Sequence, residues 1–505
     1  MTGISLETHI LLAILIPLVG MVAIALTGRW PNLREAATLA TASINAVNVW
    51  SILPAVQAGE RPAVSLFEIL PGLEIRFEVE PLGMMFAIIA ATLWIVNSIY
   101  SIGYMRGNNE KQQTRFYAFF ALSISAALGI AFAGNLITLF IFYEILTLST
   151  YPLVTHKEND EARRGGRTYL GILIATSIGL QLPAIIWTWN LTGTVDFVPG
   201  GTLLGKVQGL SAGLLLALYI YGIGKAALMP VHKWLPAAMV APTPVSALLH
   251  AVAVVKAGVF TVIKVIVYVF GLELISTETA TNWLIYAAAI TLTLASLIAM
   301  NQDNLKRRLA YSTVSQLSYV ILGAALGTAM GVVGGGMHIA MHAAGKITLF
   351  MAAGAIYVSL HKTEISDMKG AGRVMPVTMF CFMIGALSVI GVPPMGGSWS
   401  KFLLMVGAAD AGFQFIIGVL IVSSLLNVAY LMPIPLRGFM LRPPEAGDGP
   451  VKVQEAPLAC LIAMVITATL TVVLFFGAGE IHDLLLPITE TPVAAAAGPA
   501  GGGSQ

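Results

Sequence analysis

Charged residues are scarce in this sequence: they make up 10% of its 505 residues, whereas hydrophobic residues make up 57%. Soluble globular domains carry about 25% charged residues, so composition excludes a soluble enzyme or a nucleic-acid-binding domain. The mean hydropathy is strongly positive. The sequence therefore predicts an integral membrane protein.

Cysteine is also nearly absent. Cys381 and Cys460 both fall inside apolar runs, so neither a disulfide scaffold nor a thiolate metal site is indicated. The chain has no cysteine cluster for iron and sulfur, and no glycine-rich dinucleotide loop follows a strand. We therefore expect no cofactor and no metal, and no redox chemistry by this chain itself.

Long apolar runs dominate what remains. A bilayer core of about 30 Å needs about 20 apolar residues per helix, and the sequence predicts an all-α polytopic membrane protein with about fourteen transmembrane helices. The first is read as a retained helix, because Glu7 rather than a basic region precedes it. The predicted segments, of which the seventh and twelfth are interrupted, are 8–27, 35–56, 81–104, 115–132, 134–155, 168–190, 207–239, 243–271, 281–299, 309–328, 331–360, 375–410, 412–436 and 456–478.

Lysine and arginine are distributed unevenly between the loops after odd-numbered segments and the loops after even-numbered segments. Loops after even-numbered segments hold only Arg61, Arg76 and Lys206. The positive-inside rule then places the odd loops in the cytoplasm and both termini on the outer side of a bacterial inner membrane. The lysines and arginines of the odd loops are Arg29, Arg34, Arg106, Lys111, Arg115, Lys157, Arg163, Arg164, Arg167, Lys306, Arg307, Arg308, Lys362, Lys369, Arg373, Arg437, Arg442 and Lys452.

Several ionisable residues fall within or beside the apolar segments, where each costs about 2.5 to 3.5 kcal/mol unless it faces a partner or water. Glu144 has long apolar flanks, which predict a buried, paired carboxylate. Lys225 stands just before a proline break, where transporters place ion sites. Lys233 and Lys264 are interpreted as structural or as reaching the interface, so Lys264→Ala should do little, and His232 stays ambiguous.

His338, His342 and Lys346 follow one another at two i to i+4 steps, which places them on one helix face. Such a row is typical of a hydrogen-bonded relay. His250 and Lys256 are six residues apart, so they should face different neighbours and suit a handover between helices.

Lys401 follows the run "GVPPMGGSWSK", whose prolines and glycines predict a second discontinuous helix. Paired broken helices in two halves indicate an inverted-repeat transporter. The ionisable groups are together predicted to carry protons along a polar line in the membrane plane.

Three stretches also resemble a known family: "GIGKAALMPVHKWLPAAMVAPTPVSALLHAVAVVKAGVF", "DNLKRRLAYSTVSQLSYVILG" and "IGALSVIGVPPMGGSWSKFLL". They are similar to the proton-conducting, antiporter-like subunits of respiratory complex I, Mrp-type cation/proton antiporters and membrane-bound hydrogenases. The resemblance implies two inverted five-helix repeats, joined proton half-channels and partner membrane subunits. The residues that match the family's proton pathway are Glu144, Lys225, His250, Lys256, His338, His342, Lys346 and Lys401.

The domain organisation follows from these repeats. Residues 1–114 would hold helices 1–3, residues 115–271 the first repeat (helices 4–8), residues 281–436 the second (helices 9–13) and residues 456–478 helix 14. Residues 487–505 form a small-residue tail that is predicted to be disordered.

Three functions stay open at this point. The leading one is a proton-translocating subunit of a Mrp-like Na⁺ or K⁺/proton antiporter. The length of the chain is similar to that of the D-type subunit of Mrp antiporters and of the middle antiporter-like subunit of complex I. The second is a proton-pumping subunit of a redox-driven complex, of the NADH:quinone oxidoreductase or membrane-bound hydrogenase type. The third is a scaffold whose buried charges only fix helix packing, although apolar residues could replace buried ion pairs at little cost.

Overall fold

The computed structural model describes residues 4–248, 253–444 and 449–490, and most of them are helical. Helices satisfy their own backbone hydrogen bonds, which a chain in hydrocarbon must do. The prediction of a mostly helical, multi-pass membrane protein is confirmed.

The first half of the described chain follows the predicted segments, with some of them divided into shorter helices. Segment 6 contains a π-helical turn, Ser177–Gln181, between two α-helices. The helices are α1 (Leu6–Leu26), α2 (Pro31–Trp50), α3 (Leu53–Gln57), α4 (Pro81–Gly107), α5 (Gln113–Ala131), α6 (Leu136–Val154), α7 (Asp160–Thr176), α8 (Leu182–Thr192), α9 (Gly209–Gly222), α10 (Trp234–Ala237), α11 (Thr243–Ala247), α12 (Val254–Val265) and α13 (Leu272–Thr277).

The second half continues in the same way. A π-helical turn, Ile266–Phe270, extends α12. The remaining helices are α14 (Trp283–Met300), α15 (Leu305–Ala325), α16 (Ala329–Leu360), α17 (Ala371–Val374), α18 (Pro376–Ile390), α19 (Gly397–Asp410), α20 (Gln414–Leu431), α21 (Pro433–Met440), α22 (Leu458–Phe476) and α23 (Ala478–Leu485).

Within the described residues, ten helices are long and apolar enough to cross a membrane. Predicted segments 7, 8, 10 and 12 are not among the ten. Segments 7 and 12 are broken into shorter helices, and segment 10 is a continuous helix, α15, with a polar sequence. Length and hydropathy therefore under-count the segments that carry buried polar groups.

A β-hairpin lies between α3 and α4, where no strand was predicted from the sequence. Strands β1 (Ala63–Leu70) and β2 (Leu73–Glu78) pair antiparallel, and Gly72 at the turn has φ +79°, which the second central position of a type II turn requires. The hairpin is hydrogen-bonded to the segment that follows α5: the Gly134 N–H donates to the Arg76 carbonyl at 2.9 Å. We call the side of the molecule that carries it the hairpin face.

The two predicted helix breaks are both present. After α9, a 3-10 turn at Gly224–Ala226 precedes an irregular stretch, and Ala227 adopts φ +55°, which is uncommon for a residue with a side chain. Between α18 and α19, residues 391–396 leave the helix and Gly391 adopts φ +92°. Each break exposes backbone carbonyls that can accept hydrogen bonds from buried side chains.

Helix α16 lies at the centre of the molecule and is buried along most of its 32 residues. It packs against α4, α12, α15, α18, α19 and α22. Glycines permit the closest of these approaches: a Cβ at Gly334 would lie 3.0 Å from the Leu404 backbone nitrogen, as in small-residue packing of membrane helices. This central position is what gives the side chains of α16 access to several helices.

The chain continues beyond α22 as α23 and a 3-10 turn, Leu486–Thr489. The prediction of disorder from residue 487 is thus wrong for residues 487–489, because Ile488 is buried against the helices. Residues 491–505 lie outside the described residues.

Close packing between α12 and the break after α9 gives a testable prediction. A Cβ at Gly258 would lie 2.4 Å from both Ala226 N and the Lys225 carbonyl carbon, so Gly258→Ala should destabilise the fold by about 1 to 3 kcal/mol. Thermal unfolding of the detergent-solubilised protein measures this. The control is Gly171→Ala, where a Cβ meets nothing within 4 Å; equal stability of the two variants would contradict the packing.

Candidate functional site: a buried line of ionisable residues

Lys225 is fully buried at the break after α9. Its Nζ donates to the Tyr143 carbonyl at 2.8 Å and to Thr147 Oγ1 at 2.6 Å, and it lies 3.1 Å from the centroid of the Tyr143 ring. The Tyr143 hydroxyl in turn accepts from the Lys225 backbone N–H at 3.0 Å. Helix α6 therefore holds this lysine by its backbone and its side chain together.

Glu144 lies beside this lysine, but the two do not form an ion pair. The structure differs here from the expected buried, paired carboxylate: Glu144 is half-buried, and its Oε1 is enclosed without a hydrogen-bond partner among the described residues. Glu144 directly follows Tyr143, whose carbonyl accepts from Lys225 Nζ. An unpaired carboxylate near a buried ammonium can change the charge balance with a small movement.

Lys256 on α12 contacts His342 on α16. The two nitrogens, Lys256 Nζ and His342 Nδ1, are 2.7 Å apart, and both side chains are buried. Two basic groups at this distance can share one proton, whereas two protons on the pair would repel each other. This arrangement suits proton transfer.

His342 continues the line to His338 one helical turn away. Their rings stack at 5.7 Å with an angle of 9°, and His338 stacks on Tyr319 of α15 at 5.3 Å. The His338 ring hydrogen-bonds through Nδ1 to Ser400 Oγ at 2.9 Å and through Nε2 to Gln316 Oε1 at 3.1 Å. Both ring nitrogens thus have partners from neighbouring helices.

Lys401 lies at the far end of this line, on α19 directly after the second break. Its Nζ donates to the Ile390 carbonyl at 2.8 Å and to Ser424 Oγ at 3.2 Å, and it lies 4.8 Å from the centroid of the Tyr319 ring. A Cβ at Gly391 would approach Lys401 Cδ to 2.9 Å. The glycine therefore makes room for the lysine.

Lys346 belongs to a side branch and not to a straight row with the two histidines. Its Nζ donates to Ser312 Oγ at 2.7 Å, and that oxygen also accepts from the Tyr430 hydroxyl at 2.9 Å. The helical spacing correctly predicts a common face for the three groups, but the nearest hydroxyl decides where the long lysine points.

The two broken helices hold their lysines in corresponding ways. Each ammonium lies over a tyrosine ring, Tyr143 for Lys225 and Tyr319 for Lys401, and in each case the tyrosine precedes the lysine by 82 residues. Each lysine also donates to a backbone carbonyl and a hydroxyl. The two breaks thus hold their lysines with the same kinds of partner.

We call the residues from Glu144 through Lys225, Lys256, His342 and His338 to Lys401 the buried axis. Among the described residues, no hydrogen bond joins Lys225 to Lys256, although α12 touches the backbone of Lys225 at Gly258. His250, which the sequence places between the two lysines, lies outside the described residues.

Three further residues from the sequence analysis have clear positions. Lys233 is exposed, and His232 is buried with its ring 6.1 Å from that of Tyr311. Of the two interpretations of Lys264, the interfacial one is wrong: the residue is 1% exposed and its Nζ is 3.5 Å from Glu80 Oε1.

The uncharged polar partners of the axis were not singled out from the sequence. Gln316, Ser312 and Tyr319 all come from α15, whose run "STVSQLSY" is unusually polar for a membrane segment. This polar run is the sequence feature that could have indicated the uncharged partners of the axis. Within the described part of the chain, no group of three His, Cys, Asp or Glu is placed to hold a metal ion.

This geometry can be compared with known proteins. A family model described as NADH:quinone oxidoreductase/Mrp antiporter, transmembrane, matches residues 133–427, which include every residue of the buried axis. The chain belongs to this family. It is an antiporter-like subunit of the kind found in Mrp or complex I-type complexes.

Two relatives illustrate the sequence similarity within the family. NADH-quinone oxidoreductase subunit N of Desulforudis audaxviator (strain MP104C) is 30% identical over 387 residues, which cover 75% of each chain. NAD(P)H-quinone oxidoreductase chain 5 of Synechocystis sp. (strain ATCC 27184 / PCC 6803 / Kazusa) is 31% identical over 347 residues, or 65% of this chain and 49% of that relative. The match thus spans about half of the longer relative.

Two solved structures share the fold. A chain of the Mrp complex from Dietzia sp. DQ12-45-1b superposes with a TM-score of 0.84 at 20% identity, over 96% of this chain and 97% of that one. A chain of the membrane-bound sulfane sulfur reductase, an archaeal respiratory membrane complex, gives 0.83 at 23% identity, over 95% and 98%. The fold is therefore common to a chain of an Mrp complex and a chain of a respiratory membrane complex.

The hydroxyl that accepts from Lys225 gives a testable prediction. Thr147→Val removes one of two hydrogen-bond acceptors of a buried ammonium, which should lower the free energy of unfolding by about 1 to 3 kcal/mol. Thermal unfolding in detergent measures the loss. Thr293→Val is the matched control, because the Thr293 hydroxyl bonds only to the Ala289 carbonyl of its own helix; the hydrogen bond is unimportant if both variants unfold alike.

Proposed function

We propose that the chain is the proton-translocating subunit of a multisubunit Na⁺ or K⁺/proton antiporter of the Mrp type, and that protons move along the buried axis. The observation that supports this most is the unbroken contact series from Lys256 through His342, His338 and Tyr319 to Lys401. It links α12, α16, α15 and α19 in the membrane interior. A scaffold needs no such series of proton-binding groups.

The first half of the axis supplies a switch for this pathway. Lys225 has only neutral hydrogen-bond partners, and its nearby carboxylate, Glu144, is not in direct contact. Movement of Glu144 toward Lys225 would stabilise the ammonium, and movement away would favour release of its proton. A partner subunit that binds near α6 could drive this movement.

The proposed setting is a complex of several membrane subunits. Both structural neighbours are chains of multisubunit membrane complexes, and many large apolar side chains of this chain are exposed, such as Val19, Leu210 and Phe476. Lipid and partner helices would cover them. With the basic loops in the cytoplasm, the hairpin face and both termini would lie on the outer side of a bacterial inner membrane.

A second function rests on the sequence relatives, which are named as quinone oxidoreductase subunits. In that case electron transfer in other subunits would drive protons along the same axis. The two functions differ in their energy source: a redox-driven complex needs an electron donor, whereas an antiporter needs only an ion gradient. An experiment can therefore distinguish them.

The role of Lys225 can be tested in inverted membrane vesicles from cells that express the complete complex. Lys225→Ala should reduce proton exchange at least tenfold, to the vesicle background, while the amount of assembled complex stays unchanged. A pH-sensitive dye reports the exchange. Lys233→Ala is the control, because this neighbouring lysine is exposed; full exchange by an assembled Lys225→Ala complex would rule out the axis.

The same vesicles separate the two functions. An antiporter exchanges protons for added Na⁺ or K⁺ under an artificial gradient without an electron donor, because it needs no redox energy. We expect cation-dependent exchange under these conditions. Proton movement that begins only after a reductant is added would assign the chain to a redox-driven complex.

A further inference from the structure

A buried acid–base pair lies near the hairpin face, apart from the axis. Lys264 Nζ lies 3.5 Å from Glu80 Oε1, and the two side chains are 1% and 4% exposed. The ammonium also donates to the Ala133 carbonyl at 2.7 Å and lies 4.6 Å from the Phe197 ring centroid. Apolar surroundings make this pair expensive to separate.

The carboxylate of this pair is held in place by the start of α4. Glu80 accepts from the backbone N–H groups of Leu82 and Gly83 at 2.8 and 2.9 Å, and from the Tyr268 hydroxyl at 3.0 Å. Tyr268 thus connects Glu80 to the turn that follows α12.

A cavity of about 370 Å³ lies at the start of α4, and we call it the vestibule. Its lining includes Arg61, Pro81, Glu480 and Asp483. Pro81 follows Glu80 in the chain, and the Arg61 guanidinium lies 5.9 Å from the Tyr268 ring centroid. The vestibule therefore comes close to the pair through two different residues.

One member of the pair, Lys264, lies on the same helix as one member of the axis, Lys256. Lys264 follows Lys256 by eight residues on α12, a rise of about 12 Å. The pair is thus linked to the axis along α12, and to the vestibule through Pro81, which follows Glu80 in the chain. Packing alone does not explain them, because apolar residues of similar volume replace buried ion pairs at little cost.

We propose that Glu80 and Lys264 are the proton-exchange pair through which the buried axis communicates with the vestibule. A proton from the vestibule binds the Glu80 carboxylate, which removes the counterion of Lys264. The Lys264 Nζ–H bond then breaks, its proton passes along α12 by way of water to the neutral amine of Lys256, and Glu80 returns its proton to Lys264. One proton is moved, and the reverse order releases one.

The decisive variant is Lys264→Arg, and the inference rests on the proposed function. Arginine keeps the positive charge and can pair with Glu80, but it does not give up its proton. We expect normal assembly and at least a tenfold loss of exchange in the vesicle assay. Lys206→Arg, at an exposed lysine, should change nothing.

Glu80→Gln is the second variant, since an amide oxygen can still cap α4 while the charge is lost. It should reduce exchange and remove the dependence of the rate on pH in the compartment at the hairpin face. The other charged groups near the pair, Glu78, Arg61 and Arg76, stay in place. Glu78→Gln is the matched control and should keep that pH dependence.

The outcomes distinguish this inference from the function on which it rests. Wild-type exchange retained by an assembled Lys264→Arg variant would make the pair purely structural and leave the axis intact. Absence of cation exchange in the wild type would instead reject the proposed antiporter function. The effect of the same variants is then measured on proton translocation driven by a reductant. If Lys264→Arg fails to assemble, the pH profile of Glu80→Gln decides, and an unchanged profile rejects the inference.

Discussion

A charged side chain in hydrocarbon needs a partner or a cavity, and this cost organises the whole molecule. Helices can be apolar on the outside only if the lysines and histidines are turned toward the centre. Helix α16 therefore lies in the middle and presents His338, His342 and Lys346 to its neighbours. The helix breaks serve the same need, because unwound backbone offers carbonyl acceptors to Lys401 and places Lys225 at a helix end.

The buried lysines are stabilised by neutral hydrogen-bond partners more often than by ion pairs. Lys225, Lys346 and Lys401 each donate to a hydroxyl, and two of them also donate to a carbonyl. Neutral partners let an amine exist in both protonation states, whereas an adjacent carboxylate fixes the charged one. The one fully buried lysine with a direct carboxylate partner in the described chain is Lys264. Its different surroundings are the reason to assign it a different role.

The sequence predicted much of the site, but not how its members are joined. Helical spacing correctly placed His338 and His342 on one face, and the proline and glycine run correctly marked the break before Lys401. Spacing could not show that Lys346 binds Ser312, because the partner comes from another helix. The same limit applies to Lys264: a lysine near a segment end can reach the interface, and only the position of Glu80 decides otherwise.

By itself, the sequence determined the membrane class, the approximate segments, the two breaks and the residue types available for proton transfer. These properties depend on local composition and on the periodicity of a single helix. Tertiary structure decided the hairpin, the contact between Lys256 and His342, and the tyrosine under each broken-helix lysine. Contacts between distant segments depend on how helices pack, and residues 82 or 86 positions apart leave no local pattern that predicts their meeting.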